Sequence, residues 1–105
     1  MTYYTYNLIK SPNITFNTNI GNSNFEFTFR TFRGIIYISV YIDGELVCSG
    51  IKAVPNKSLF PSEVNNSAGG IFAFLCNYDG YPTYEMFDGF KCVFAFCPYG
   101  ELSNE

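Results

Sequence analysis

The side chains whose types could do chemistry in this chain are four cysteines, nine carboxylates and nine tyrosines; histidine is absent. Without imidazole, the usual general base, metal ligand and physiological pH switch are missing, and neither a Ser-His-Asp nor a Cys-His arrangement can be built from this chain alone. Cys48, Cys76, Cys92 and Cys97 contain no Cys-x-x-Cys. A four-cysteine zinc site usually shows two close pairs, and only Cys92 with Cys97 begins one. Two disulfides would need an oxidising compartment, so the expectation is buried thiols that behave as small hydrophobes. Among the acids, Asp43 and Asp79 each precede glycine, where a turn explains them, and Glu26 falls on the polar face of a strand. Glu85 with Asp88 is the one acidic pair near a turn. A hydrolytic carboxylate pair would have to span a cleft of roughly 5–10 Å. Gly69-Gly70 is followed by neither Lys-Ser/Thr nor a helical pattern, so it reads as a bend before a strand and not as a phosphate loop. No catalytic residue, cofactor or metal is expected.

The tyrosines point elsewhere. Tyr78, Tyr81 and Tyr84 cluster in one loop, and Tyr37 and Tyr41 recur at a spacing that puts them on one face of a strand. Aromatic platforms stack on sugars or bases, but they also anchor protein interfaces. The chain has no Trp, a net charge of −3 and no Lys/Arg run, which argues against nucleic acid. Only 14 % of residues are charged while 20 % are aromatic, the balance of a subunit largely covered by neighbours. Tyr37, Tyr41, Tyr78, Tyr81 and Tyr84 are therefore expected to be protein-contact residues.

These residues must be positioned by strands. The 105 residues make one domain, 1–105, with room for one core. The dominant period is two. Ile14, Phe16, Thr18 and Ile20 alternate with Thr15, Asn17 and Asn19, and Gly21 to Asn24 turns the chain. Phe25, Phe27 and Phe29 then oppose Glu26, Thr28 and Arg30. Residues 35–42 put Ile36, Ile38, Val40 and Ile42 on one face and Ile35, Tyr37, Ser39 and Tyr41 on the other. Asp43-Gly44 is the strongest hairpin signal, and residues 45–49 return antiparallel. Residues 50–70 read as a loop-rich crossover with a short strand at 51–54. Strands at 71–76 and 90–97 follow, separated by the tyrosine loop. No helical caps accompany a 3.6 period. The fold expected is all-β, a small antiparallel β-sandwich or barrel of six to seven short strands with little helix. No window is apolar enough for a membrane helix, and residues 1–10 carry no secretory-signal pattern. Asn is frequent, with 11 copies, and the three sequons at Asn13, Asn56 and Asn65 are read as chance.

The order of segments carries a further signal. Pro12-Asn13-Ile14-Thr15-Phe16 is followed by the alternating strand of residues 25–30 and by Ile36-Tyr37-Ile38-Ser39-Val40. Then come Asp43-Gly44-Glu45-Leu46-Val47, Gly50-Ile51-Lys52-Ala53-Val54-Pro55, Ser58-Leu59-Phe60 and Gly69-Gly70-Ile71-Phe72. This series, spanning Leu8 to Leu102, resembles the small baseplate plug proteins of contractile-tailed bacteriophages, cyanophage plugs among them. In that family a Pro-x-Gln-Thr-Phe opening precedes a Leu-Arg strand, a Trp-Tyr-Leu-x-Ile strand and a Gly-x-x-Leu-Val-x-Gly-Ile-x-Leu-Val hairpin. Ile14 stands where the family favours Gln, Ile36 where it has Trp, and Phe87-Asp88-Gly89 where it has an Asp-Leu-Gly turn. The resemblance implies a non-enzymatic structural virion protein in the tail baseplate, assembled in the host cytoplasm. It implies packing near the tail axis, closure of the tail tube before sheath contraction, and no catalytic residue. The partners implied are the baseplate hub, the spike, the tape-measure protein as a further candidate, and other copies in a ring. The competing expectation is a tail-tip module that binds carbohydrate or a receptor.

Overall fold

Period-two alternation produces two antiparallel sheets packed face to face. The computed structural model describes residues 4–6, 8–9, 11–76, 82–84 and 92–99. Among these the elements are β1 (Tyr4–Tyr6), β2 (Asn13–Ile20), β3 (Ser23–Phe32), β4 (Ile35–Ile42), β5 (Glu45–Lys52), α1 (Ser62–Ala68), β6 (Gly70–Cys76) and β7 (Cys92–Pro98). One sheet is the meander β2-β3-β4-β5; the other has the order β1-β7-β6. Of the two all-β architectures expected from the alternation, the described residues form the sandwich and not the barrel. The molecule is only 20 Å across its shortest axis, as two sheets about 10 Å apart require once their outer side chains are added.

The hairpins set the registers. Asp43 and Gly44 both have positive φ, 51° and 86°, the pattern of a two-residue type I′ turn whose twist matches that of the strands it joins. The Asp43 carboxylate also accepts the Asn24 backbone N–H at 2.9 Å, and the Asp43 N–H donates to the Asn24 carbonyl. Phe32 is followed by a second tight turn, Arg33-Gly34, with φ of 53° and 78°. Arg33 tolerates that backbone while its guanidinium rests 5.3 Å from the centre of the Phe32 ring.

Several local expectations are corrected. The first turn is narrower than Gly21–Asn24, because Ser23 already pairs with Ile20. Residues 51–54 do not start a new strand. β5 runs to Lys52 through two irregularities: Ser39 of β4 stands against both Ser49 and Gly50, and Val47 is an extra residue between the partners of Val40 and Tyr41. Tyr4–Tyr6, unremarked in the sequence, pairs with β7 from Tyr4↔Phe96 to Tyr6↔Phe94, joining the first and last of these strands. The crossover also holds a helix that local propensity does not favour: Ser62–Ala68 contains Asn65-Asn66-Ser67 and has no side-chain N-cap. Packing stabilises it instead. Val64 and Ala68 are buried, Asn65 Nδ2 donates to the Phe60 carbonyl at 3.2 Å, and Gly69 closes the C-terminus in the left-handed conformation.

Phenylalanine supplies half of the buried core residues among those described. Phe27, fully buried, stacks or tilts against Phe16, Phe25, Phe29, Phe60, Phe72 and Phe94. Ile36, Ile38 and Val40 extend the apolar layer across β4. The crossover also covers an edge. Pro55 bridges Phe74, the Asn56 and Leu59 N–H groups donate to the Phe74 and Phe72 carbonyls, and the Asn56 side-chain amide pairs with both the N–H and the carbonyl of Cys76. That segment gives β6 the hydrogen-bond partners a further strand would have given.

Candidate assembly face

The outer face of the four-stranded sheet collects the residues that the core excludes. Registry across the meander arranges them in rows. Asn13, Arg30, Tyr37 and Lys52 form one row; Thr15, Thr28 and Ser39 form the next; Asn17, Glu26, Tyr41 and Leu46 form the third. Tyr37 thus lies between two cations, and Tyr41 between a carboxylate and an exposed leucine (54 % accessible). Phe32, 62 % exposed, stands beyond the first row and pairs with Ile35.

Charge on this sheet is segregated. Arg30 and Lys52 on the outer face, with Arg33 in the adjoining turn, lie at one end, while Glu26 on the outer face, Asp43 in the opposite turn and Glu45, the partner of core-facing Ile42, lie at the other. Along β4 the Tyr37 and Tyr41 rows are four residues apart, roughly 13 Å at the rise of a strand. That exceeds the ~8 Å screening length at physiological salt, so the two ends form electrostatically separate patches of opposite sign.

Of the tyrosines singled out in the sequence, Tyr37 and Tyr41 share this face, half-buried by their neighbours. Tyr84, also half-buried, belongs to the connection between β6 and β7 and not to the four-stranded sheet. Tyr78 and Tyr81 lie outside the described residues, as do Glu85 and Asp88. The charge segregation escapes a reading of the sequence. Its signal is the pair of tight turns, which fix the register and so decide which charges become neighbours.

Chemistry on the described residues is sparse. Burial pushes the Cys48 thiol above its usual range, partly offset by a hydrogen bond with the Val40 backbone, and the charge of Glu63 adds to the rise. Burial likewise raises the Tyr6 phenol, against a smaller lowering by the Thr18 hydroxyl. Among the described residues, no group of three or more Cys, Asp or Glu side chains converges to hold a metal ion, and no helix is long and apolar enough to cross a membrane.

Fold and face together define a small β-sandwich whose four-stranded sheet turns a polar face bearing Tyr37 and Tyr41 outward. The model of the family described as cyanophage baseplate Pam3 plug gp18 matches residues 2–96, and the chain belongs to that family. It is a phage baseplate structural protein, and its place is the virion tail. No curated protein matches the chain.

Proposed function

We propose that this chain is a non-enzymatic plug subunit that packs near the tail axis against hub and spike proteins. It helps close the tail tube and is displaced when the sheath contracts. The observation that carries this reading is the family match over residues 2–96, and the outer face supplies a physical means. A sheet with cations at one end and carboxylates at the other is complementary to a second copy placed head to tail. Such heterologous contacts close into a ring when the rotation between copies allows it. Sparse surface charge lowers the desolvation cost of covering the rest of the domain, so the segregated pairs select orientation more than they supply affinity.

Quantitative mass spectrometry of purified virions, scaled to the sheath subunit, should find about three or six copies per tail, the number cyclic symmetry about a tube favours. Absence from the particle would end the plug reading and reopen carbohydrate or receptor binding.

The face itself is tested by sedimentation of the purified protein. Tyr37→Ala with Tyr41→Ala should weaken self-association about tenfold or more, as loss of interface anchors does, without lowering the melting temperature comparably. Arg30→Glu with Lys52→Glu, and separately Glu26→Lys, should each abolish self-assembly. A mixture of the two charge variants should assemble in a salt-sensitive way. Charge variants that assemble alone as wild type does would remove the sheet from the interface.

A further inference from the structure

We propose that Cys76 and Cys92 are a thiol pair set to close into a cross-strand disulfide when the protein meets a small-molecule disulfide oxidant. The two residues are direct partners where the β6–β7 ladder meets the intervening segment, and both lie on the inward side of their strands. Their Sγ atoms are 2.6 Å apart, far inside ordinary sulfur contact and not far beyond the ~2.05 Å of a disulfide. Directly opposed residues of an antiparallel pair have Cα atoms about 4.5–5.5 Å apart, within the range that a disulfide bridges. The backbone is held at this point as well, because the Asn56 amide grips both the N–H and the carbonyl of Cys76. Closure therefore needs only a small approach of the sulfurs and no movement of the strands.

Access assigns the order of events. Cys92 is 1 % exposed and Cys76 only half-buried, so an oxidant reaches Cys76 first. The Cys76 thiolate attacks one sulfur of the oxidant, forming a mixed disulfide and releasing one small thiolate. The Cys92 thiolate then attacks the Cys76 sulfur, forming the internal bond and releasing the second. Two thiol protons pass to the two departing thiolates, and the two electrons lost by the cysteines reduce the oxidant. Burial, then the hydrogen bond to Cys92 and its charge, push Cys76 up to about 12. The attacking thiolate is therefore scarce near neutrality, and closure should speed up by about tenfold per pH unit between about pH 7 and about pH 9. The pair stays reduced in a reducing cytoplasm and closes afterwards, bracketing the chain segment that contains Tyr78, Tyr81 and Tyr84.

Folded protein is incubated with glutathione disulfide at several pH values, quenched with acid, and analysed by intact mass and peptide mapping. The expected product has lost two hydrogens, retains no glutathione and yields a Cys76–Cys92 linked peptide. It should also melt on the order of 10 °C higher, since a bond across a short loop restricts the unfolded chain. Cys92→Ser should stop at the mixed disulfide on Cys76, and Cys48→Ser should close as wild type does. A wild-type chain that accumulates glutathione on Cys76, or keeps both thiols under conditions that fully oxidise the urea-unfolded chain, would overturn the proposal.

Discussion

Phe27→Ala should cost about 3–5 kcal/mol, a large share of the roughly 5–15 kcal/mol that holds a typical domain folded. The ring is fully buried between the sheets and lies against aromatic rings of β2, β3, β6, β7 and the crossover. Stiff neighbours such as Phe72 and Phe94 are themselves wedged against one another, ring on ring, and cannot collapse into the space vacated. The cavity therefore remains, and its cost adds to the lost transfer free energy. Phe32→Ala is the control. That side chain is exposed, with the Arg33 guanidinium over its ring, so its loss should stay within about 0.5–1 kcal/mol. Urea denaturation of the two variants gives the comparison. Equal costs would mean that Phe27 is not at the centre of the core.

The second large effect separates two adjacent glycines that fail for different reasons. Gly70 opens β6 opposite Pro98, and a Cβ there would meet the Cys97 carbonyl oxygen, with Phe96 Cε1 and the Pro98 Cα each at 2.8 Å. Two of those three neighbours are backbone, so the strands would have to part. Gly70→Ala should cost about 3 kcal/mol, at the upper end of overpacking penalties. Gly69 has open space around its Cβ position, but its φ is +75°, where an L side chain is strained. Gly69→Ala should lose about 1 kcal/mol, and Gly69→Asn less, because Asn tolerates the left-handed conformation. Chemical denaturation of the three variants checks the ranking. A Gly70→Ala protein as stable as Gly69→Ala would show that β6 and β7 do not approach this closely.

The meander is legible in the amino-acid sequence because each of its strands carries its own instruction. Phe25, Phe27 and Phe29 alternate strictly with polar residues, and Asp43-Gly44 specifies a turn through local backbone preference. The same alternation puts Tyr37 and Tyr41 on the outer face. Features that depend on distant partners are not legible in this way. Tyr4–Tyr6 is too short to signal a strand and becomes one because β7 offers it an edge. The helix Ser62–Ala68 has poor intrinsic propensity and forms because Val64 and Ala68 find the core. Asn56 reads as an ordinary loop residue or a chance sequon, yet its amide completes the β6 edge. The two rows of charge lie in plain view as separate residues, and only the pairing register turns them into opposite ends of one surface.

The sheet order β1-β7-β6 has a consequence for how the chain comes into being. β2 to β5 are neighbours in sequence, so the meander can assemble as soon as those residues leave the ribosome, with Phe25, Phe27 and Phe29 facing open water on one side. The layer that covers them waits for β7, which is both the middle strand of the second sheet and the last of these strands to be made. Synthesis thus leaves a half-finished molecule with a sticky aromatic face for as long as the remaining residues take to emerge. When the last strand arrives, Tyr4–Tyr6 closes over its far side. The first and last of these strands are fastened together in the same late event that dries the core.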